Sequence, residues 1–100
     1  MTYEVVLVKM IICARVIFYG KVQGVFFRSN SQFKAHEMGI VGTVRNLSDG
    51  RVEAFVQGER EKVDEFIRWC SEDMPRAHVT RKDVEYLDCT EEFPDFIIIR

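Results

Sequence analysis

Apolar residues recur along the chain with two different periods, and the change of period predicts the order of helices and strands. Over positions 59–72 they recur every three or four residues, which is the spacing of one helix face. This stripe consists of Val63, Phe66, Ile67 and Cys70. Over positions 51–57 small apolar residues instead occupy every second position, as in a strand with one buried face. The residues that we expect to face the core there are Val52, Ala54 and Val56.

Residues that end helices and form turns divide the rest of the chain. Ser29 and Gln32 have the spacing of a capping box, so we expect a helix to begin at Ser29 and to end before Gly39. The Ser-Asp-Gly sequence at 48–50 predicts a hairpin, and Pro75 stops the second helix. The predicted elements are strands over 12–20, 41–47, 51–57, 79–87 and 96–99 and helices over 29–38 and 59–72.

This order of elements is β-α-β-β-α-β followed by a short closing strand, which is the split βαβ arrangement. We therefore predict an α+β fold, a ferredoxin-like α/β sandwich in which two helices pack on one face of an antiparallel sheet. The first core strand begins near position 12, so we expect one domain over residues 12–100. Residues 1–11 are interpreted as an N-terminal appendage, chiefly residues 1–9, with Met10 as an alternative start.

The charge balance and the first apolar run exclude several classes of partner. The net charge of -2 argues against bulk binding of nucleic acid, which usually accompanies a basic balance. The apolar run over 5–19 contains Lys9 and Arg15 and is too short to span a bilayer. It is not a secretory signal either, because Glu4 makes the start acidic and no small-residue cleavage site follows. We therefore expect neither nucleic acid nor a membrane as a partner.

The metal-ligating residue types are scattered along the chain. Cys13, Cys70 and Cys89 have neither the spacing of a metal site nor that of a disulfide framework. His36 and His78 stand alone and are interpreted as non-catalytic, and no carboxylate cluster has ligand spacing. We therefore expect no metal and no cofactor, and the cysteine usage favours a cytoplasmic location.

The candidate chemistry lies at positions 20–28, Gly-Lys-Val-Gln-Gly-Val-Phe-Phe-Arg. Arg28 falls at the predicted start of a helix, where the positive end of the helix dipole disfavours a cation unless an anion is bound. The spacings of a Walker loop and of a dinucleotide-binding fingerprint are absent. Gly20 and Gly24 instead allow a tight loop whose N–H groups converge on an anion, and Arg28 can hold two phosphate oxygens. These features predict a site for a phosphate-sized dianion.

The same stretch, Gly20 to Arg28, closely resembles the first sequence motif of the acylphosphatase family. The run Gly42-Thr-Val-Arg-Asn46, followed by Asp49-Gly50 and Val52-Glu53, resembles the second motif of that family. One departure is Thr43, which stands where the family usually has a large aromatic residue. We expect this change to alter the packing beside the site rather than its chemical groups.

The resemblance extends over residues 12–100 and implies hydrolysis of acyl phosphates to a carboxylate and inorganic phosphate without a metal. By the match, Arg28 would bind the phosphoryl group together with loop N–H groups, and Asn46 would orient the attacking water. The implied phosphate-binding residues are Gln23, Gly24, Val25, Phe26, Phe27 and Arg28. A phosphate oxygen of the substrate would accept the proton of the water, because no obvious base lies near either motif. Such chemistry depends mainly on positioning and charge stabilisation.

Two other functions share this fold and stay open. A catalytically silent regulatory domain would bind an anion or acyl phosphate, although the presence of both Arg28 and Asn46 argues against it. An RNA-binding module would need exposed aromatic residues on central strands and a basic face, whereas this chain is acidic overall. For the enzyme we expect a monomer with a small-molecule acyl phosphate as substrate and inorganic phosphate as both product and inhibitor.

Overall fold

The computed structural model describes residues 10–100, and every predicted helix and strand is present there. In chain order the elements are β1 (Ile11–Lys21), α1 (Phe27–Met38), β2 (Val41–Asn46), β3 (Val52–Glu59), α2 (Arg60–Glu72), β4 (His78–Leu87) and β5 (Phe96–Ile99). The predicted appendage over 1–9 lies outside the described residues. Ile11, which we assigned to that appendage, belongs to β1 and pairs with Glu59.

The five strands form one sheet in the order β4-β1-β3-β2-β5. The pairs β1–β3, β1–β4 and β2–β3 are antiparallel, as predicted. The closing strand β5 instead runs parallel to β2, so the sheet as a whole is mixed. The reason is that residues 88–95 carry the chain from one edge of the sheet to the other. The chain then returns in the direction opposite to β4, and this direction is that of β2. The ferredoxin-like α+β fold is confirmed.

One hydrophobic core lies between the sheet and the two helices. The predicted stripe of α2 and the alternating residues of β3 are all buried in it. Aromatic pairs connect the layers: the ring centroids of Phe18 and Phe27 lie 5.0 Å apart, and those of Phe66 and Phe96 lie 5.7 Å apart. Both helices therefore cover the same face of the sheet. No helix among residues 10–100 is long and apolar enough to cross a bilayer.

Helix α1 begins two residues earlier than predicted, and the predicted capping box is absent. The N-cap residue is Phe26, which has a left-handed backbone (φ 62°) and makes no side-chain capping hydrogen bond. The Ser29 hydroxyl lies inside the first turn and donates back to the carbonyl of Phe26 over 3.1 Å. Gln32 Nε2 donates to the carbonyl of Phe96 over 2.9 Å, so this side chain holds β5 rather than the helix start.

The prediction that the cysteines form no disulfide is wrong, because Cys13 and Cys89 are joined across 76 positions of the sequence. Cys13 pairs with Leu87 in the β1–β4 ladder, so the chain that leaves β4 brings Cys89 back to β1. Local spacing does not reveal this contact, because it depends on the pairing of strands far apart in the sequence. Cys70 is free and buried, and burial raises the pKa of its thiol to about 12.

Candidate active site

An open depression of about 390 Å³ lies where β1 leads into α1. The residues from the two sequence motifs meet in it, since Asn46 at the end of β2 lines it together with Arg28. Of the six residues that we expect to bind phosphate, five line the depression: Gln23, Gly24, Phe26, Phe27 and Arg28. The sixth, Val25, has a buried side chain and can contribute only backbone atoms.

The loop between β1 and α1 is held by its own apolar side chains. Val22 and Val25 are both buried, and each anchors the loop in the core. Between them Gly24 has a φ of 74°, in the left-handed region that glycine adopts without steric cost. Phe26 also has a positive φ, and this turn points the chain into α1. The loop is therefore tightly fixed although its glycines are flexible by nature.

The N-terminus of α1 is suited to an anion. Phe26 makes no side-chain capping hydrogen bond, and the first turn of α1 contains no acidic residue. The free backbone N–H groups of this turn therefore have neither a capping side chain nor a nearby carboxylate as a partner. Arg28 lies in this first turn and forms no ion pair with any residue of 10–100. Phe27 beside it is buried against Phe18. A cation and a helix N-terminus thus share one concave surface, which favours a dianion of the size of phosphate.

Gln23 connects the loop to the hairpin that follows Asn46. Its Nε2 donates to the carbonyls of Leu47 (2.8 Å) and Arg51 (2.9 Å). The carbonyl of Arg51 also accepts from the backbone N–H of Leu47 over 2.8 Å, which closes the hairpin. The side chain of Gln23 therefore fixes the distance between the two motifs, a role that the sequence alone did not suggest.

Four lining residues of the depression were not among the site candidates from the sequence: Val22 and Ser29, which flank the loop, and Ile98 and Arg100 at the end of the chain. In the parallel ladder Val44 pairs with Ile98 and Arg45 with Ile99, so the next position, Arg100, follows at the level of Asn46. Pairing between β2 and β5 was not readable from local patterns. The only sequence signal was the last apolar run, which ends on a cation.

Thr43 lies away from this depression, contrary to our expectation that it would change the packing beside the site. It lines a second cavity, of about 380 Å³, on the face of the sheet that the helices leave uncovered. The reason is strand alternation: Val44 faces the core, so Thr43 and Arg45 face the other side.

The same face carries a buried carboxylate between two cations. Glu53 is 3% exposed, and its two oxygens accept from Arg45 Nε (2.6 Å) and Arg15 Nε (2.7 Å). Burial alone would raise the pKa of Glu53, but hydrogen bonds from Arg45 and Arg15 outweigh it and hold the pKa below its ordinary value. This triad braces strands β1, β2 and β3.

The histidines are not in the depression, in line with their interpretation as non-catalytic. His36 pairs with Asp95 over 2.7 Å on the exposed side of α1, and His78 begins β4. Among residues 10–100 there is no group of three or more histidine, cysteine or acidic side chains placed to hold a metal ion.

Fold and depression together define a ferredoxin-like α+β domain with a candidate anion site at the junction of β1 and α1. The acylphosphatase family model matches residues 14–98, so the chain belongs to the acylphosphatase family. An acylphosphatase of Thermoplasma volcanium is 48% identical over 91 residues, which are 91% of this chain and 100% of that protein. The resemblance seen in the two motifs is confirmed.

Solved structures agree with this assignment. The structure of an acylphosphatase from Coxiella burnetii has a TM-score of 0.83 and 38% identity, covering 89% of this chain and 93% of that one. The crystal structure of an acylphosphatase from Bacillus subtilis has a TM-score of 0.84 and 32% identity, covering 91% of this chain and 100% of that one.

Proposed function

We propose that this chain is an enzyme that hydrolyses the carboxyl–phosphate bond of acyl phosphates at the depression between β1 and α1. The observation that carries the proposal is the meeting of Arg28, free of any ion pair within 10–100, with Asn46 at an uncapped helix N-terminus. Family membership supports the same reaction.

In this proposal the phosphoryl group lies in the loop. The guanidinium of Arg28 binds two of its oxygens, and backbone N–H groups from Gln23 to Arg28 bind the rest, including those of Gly24, Val25, Phe26 and Phe27. Phosphoryl transfer has a loose transition state with charge spread over the equatorial oxygens, so fixed donors around them lower the barrier. Val22 and Val25 keep these donors in place because both are anchored in the core.

Asn46 holds the attacking water on the other side of the phosphorus from the acyl group. The oxygen of the water forms a bond to phosphorus while the bond from phosphorus to the acyl oxygen breaks. The electron pair of that bond leaves with the carboxylate. A phosphate oxygen of the substrate accepts the proton of the water. A carboxylate is a good leaving group, so the step needs no strong acid.

The remaining predictions about partners belong to the same proposal. We propose a monomer that acts on a small molecule, without a metal or cofactor, and that binds neither nucleic acid nor a membrane. Inorganic phosphate is then both product and competitive inhibitor. A cytoplasmic location also stays a prediction, and the Cys13–Cys89 disulfide removes the cysteine argument for it. The division into an appendage over 1–11 and a domain over 12–100 is likewise still to be tested.

Hydrolysis of benzoyl phosphate, followed with and without excess chelator, tests the proposal. We expect turnover that is unchanged by the chelator, with inorganic phosphate competing against the substrate and sulfate competing more weakly. No turnover, combined with tight phosphate binding, would support the silent regulatory domain instead. Activity that returns only with a divalent ion would refute the metal-free mechanism.

A further inference from the structure

Two residues with unusual backbone conformations touch each other at the rim of the depression. Within 10–100 only Phe26 (φ 62°) and Arg76 (φ 67°) combine a side chain with a positive φ. The guanidinium carbon of Arg76 lies 5.7 Å from the centroid of the Phe26 ring, within the range of a cation–π contact. Phe26 is 65% exposed, although it lines the depression. Strained residues of this kind often belong to functional sites.

The arginines without acidic partners are concentrated at this site. Six arginines form ion pairs on the surface or in the sheet: Arg15, Arg45, Arg51, Arg60, Arg68 and Arg81. The other three, Arg28, Arg76 and Arg100, have no acidic partner among residues 10–100. Arg28 and Arg100 line the depression, and Arg76 stacks on its rim. Unpaired guanidinium groups remain available to an anionic ligand.

The sheet explains how Arg76 reaches the rim. The first residues of β4 pair with the end of β1, His78 with Lys21 and Val79 with Gly20. This approach is so close that a Cβ on Gly20 would lie 2.3 Å from the carbonyl oxygen of His78. Arg76 comes two positions before β4 and therefore lies beside the loop that follows Gly20. Asp73, the nearest acidic residue before it, is held by Arg68 over 2.9 Å and does not neutralise Arg76.

The geometry of the reaction indicates on which side of the depression the acyl group leaves. Attacking and leaving oxygens lie roughly in line across the phosphorus. Asn46, which holds the water in the proposed mechanism, belongs to β2, whereas Arg76 precedes β4 on the opposite side of β1 and β3. The acyl group therefore leaves toward the side of β4, where Phe26 and Arg76 lie.

We infer that Phe26 and Arg76 form the acyl-binding wall and select acyl phosphates whose acyl group carries a second negative charge. This inference rests on the proposed function. The exposed ring of Phe26 supports the carbon chain, and the guanidinium of Arg76 meets a carboxylate or phosphate at its far end. Arg76 thus determines specificity, while the chemistry at phosphorus stays with Arg28 and Asn46.

The test compares succinoyl phosphate with butyryl phosphate, which has the same number of carbons but no terminal carboxylate. We expect the wild-type chain to prefer succinoyl phosphate in kcat/KM. Arg76→Gln should lower that preference about three- to fivefold, the effect of losing one partly exposed ion pair. The change should appear in KM for succinoyl phosphate, with kcat for both substrates preserved. Arg76→Lys should restore most of the preference because it keeps the charge.

Arg60→Gln is the matched control. Arg60 is also exposed, and its guanidinium carbon lies 5.3 Å from the centroid of the Tyr86 ring. Unlike Arg76, it is remote from the depression. A preference that stays the same in Arg76→Gln and in Arg60→Gln would overturn the inference while leaving the proposed function intact. A fall in preference in Arg100→Gln but not in Arg76→Gln would also overturn it. Failure of the wild-type chain to hydrolyse either substrate would overturn both the inference and the proposed function.

Discussion

Replacing Gln23 tests whether the connection between the two motifs matters for both stability and catalysis. The side chain makes two hydrogen bonds, to the carbonyls of Leu47 and Arg51, and each contributes about 1 kcal/mol net when water can replace the lost partner. Gln23 is half-buried, so that condition holds. Gln23→Ala should therefore lower the free energy of unfolding by about 2 kcal/mol.

Gln23→Ala should also lower kcat, because the carbonyls that Gln23 holds lie next to Asn46. Leu47 directly follows Asn46, so loosening the carbonyl of Leu47 displaces the amide that holds the water in the proposed mechanism. A displacement of about 1 Å at a reacting group can cost up to ~10²-fold, so we expect kcat to fall at least about tenfold. Urea denaturation gives the stability change, and steady-state hydrolysis of benzoyl phosphate gives kcat.

Gln32→Ala is the matched control for Gln23→Ala. Its Nε2 makes one such bond, to the carbonyl of Phe96, and Gln32 does not line the depression. It should lose about 1 kcal/mol of stability with kcat nearly unchanged. If Gln23→Ala destabilises the chain no more than Gln32→Ala and keeps full kcat, the connection has no role in catalysis and the reasoning is refuted.

Two further predictions concern the face of the sheet opposite the helices. The double variant Cys13→Ser, Cys89→Ser should lose about 4 kcal/mol of stability, since the disulfide closes a loop of 76 positions. Its kcat should stay the same, and a large loss of activity would show that the disulfide supports the active site directly. Because its pKa is depressed in the folded state, Glu53 stabilises the chain at pH values above the ordinary pKa of an unfolded glutamate, about 4.3. That stability should disappear as the pH falls through the lower folded pKa, and acid titrations of unfolding should show a smaller pH slope for Glu53→Gln.

Much of the fold was predictable because its signals are local. The stripe from Val63 to Cys70 and the alternation from Val52 to Val56 report burial directly, since each period corresponds to one geometry. Gly39 ends α1 with a φ of 69°, as its position in the sequence indicated. Arg28 and Asn46 were identified as site candidates by motif resemblance, and the sheet brings both to one depression.

The features that the sequence did not reveal depend on contacts between distant segments. The disulfide needs the β1–β4 register, and the place of Arg100 needs the parallel pairing of β5 with β2. The start of α1 was misplaced because Ser29 and Gln32 match a capping box, while their side chains bond to Phe26 and Phe96 instead. Of these two bonds, that of Gln32 reaches a distant strand, whereas that of Ser29 stays within the first turn of α1.

Phosphate binding by calorimetry to Arg28→Ala and Asn46→Ala, with kcat measured in parallel, separates the two proposed roles most directly. Arg28→Ala should lose one or two charge-assisted hydrogen bonds of roughly 1.5–3 kcal/mol each, so that phosphate affinity and turnover fall together. Asn46→Ala should keep its phosphate affinity while kcat falls by ~10²–10³, as when one preorganised donor is removed. An equal loss of phosphate affinity in both variants would contradict the assignment of the phosphoryl group to Arg28 and of the water to Asn46.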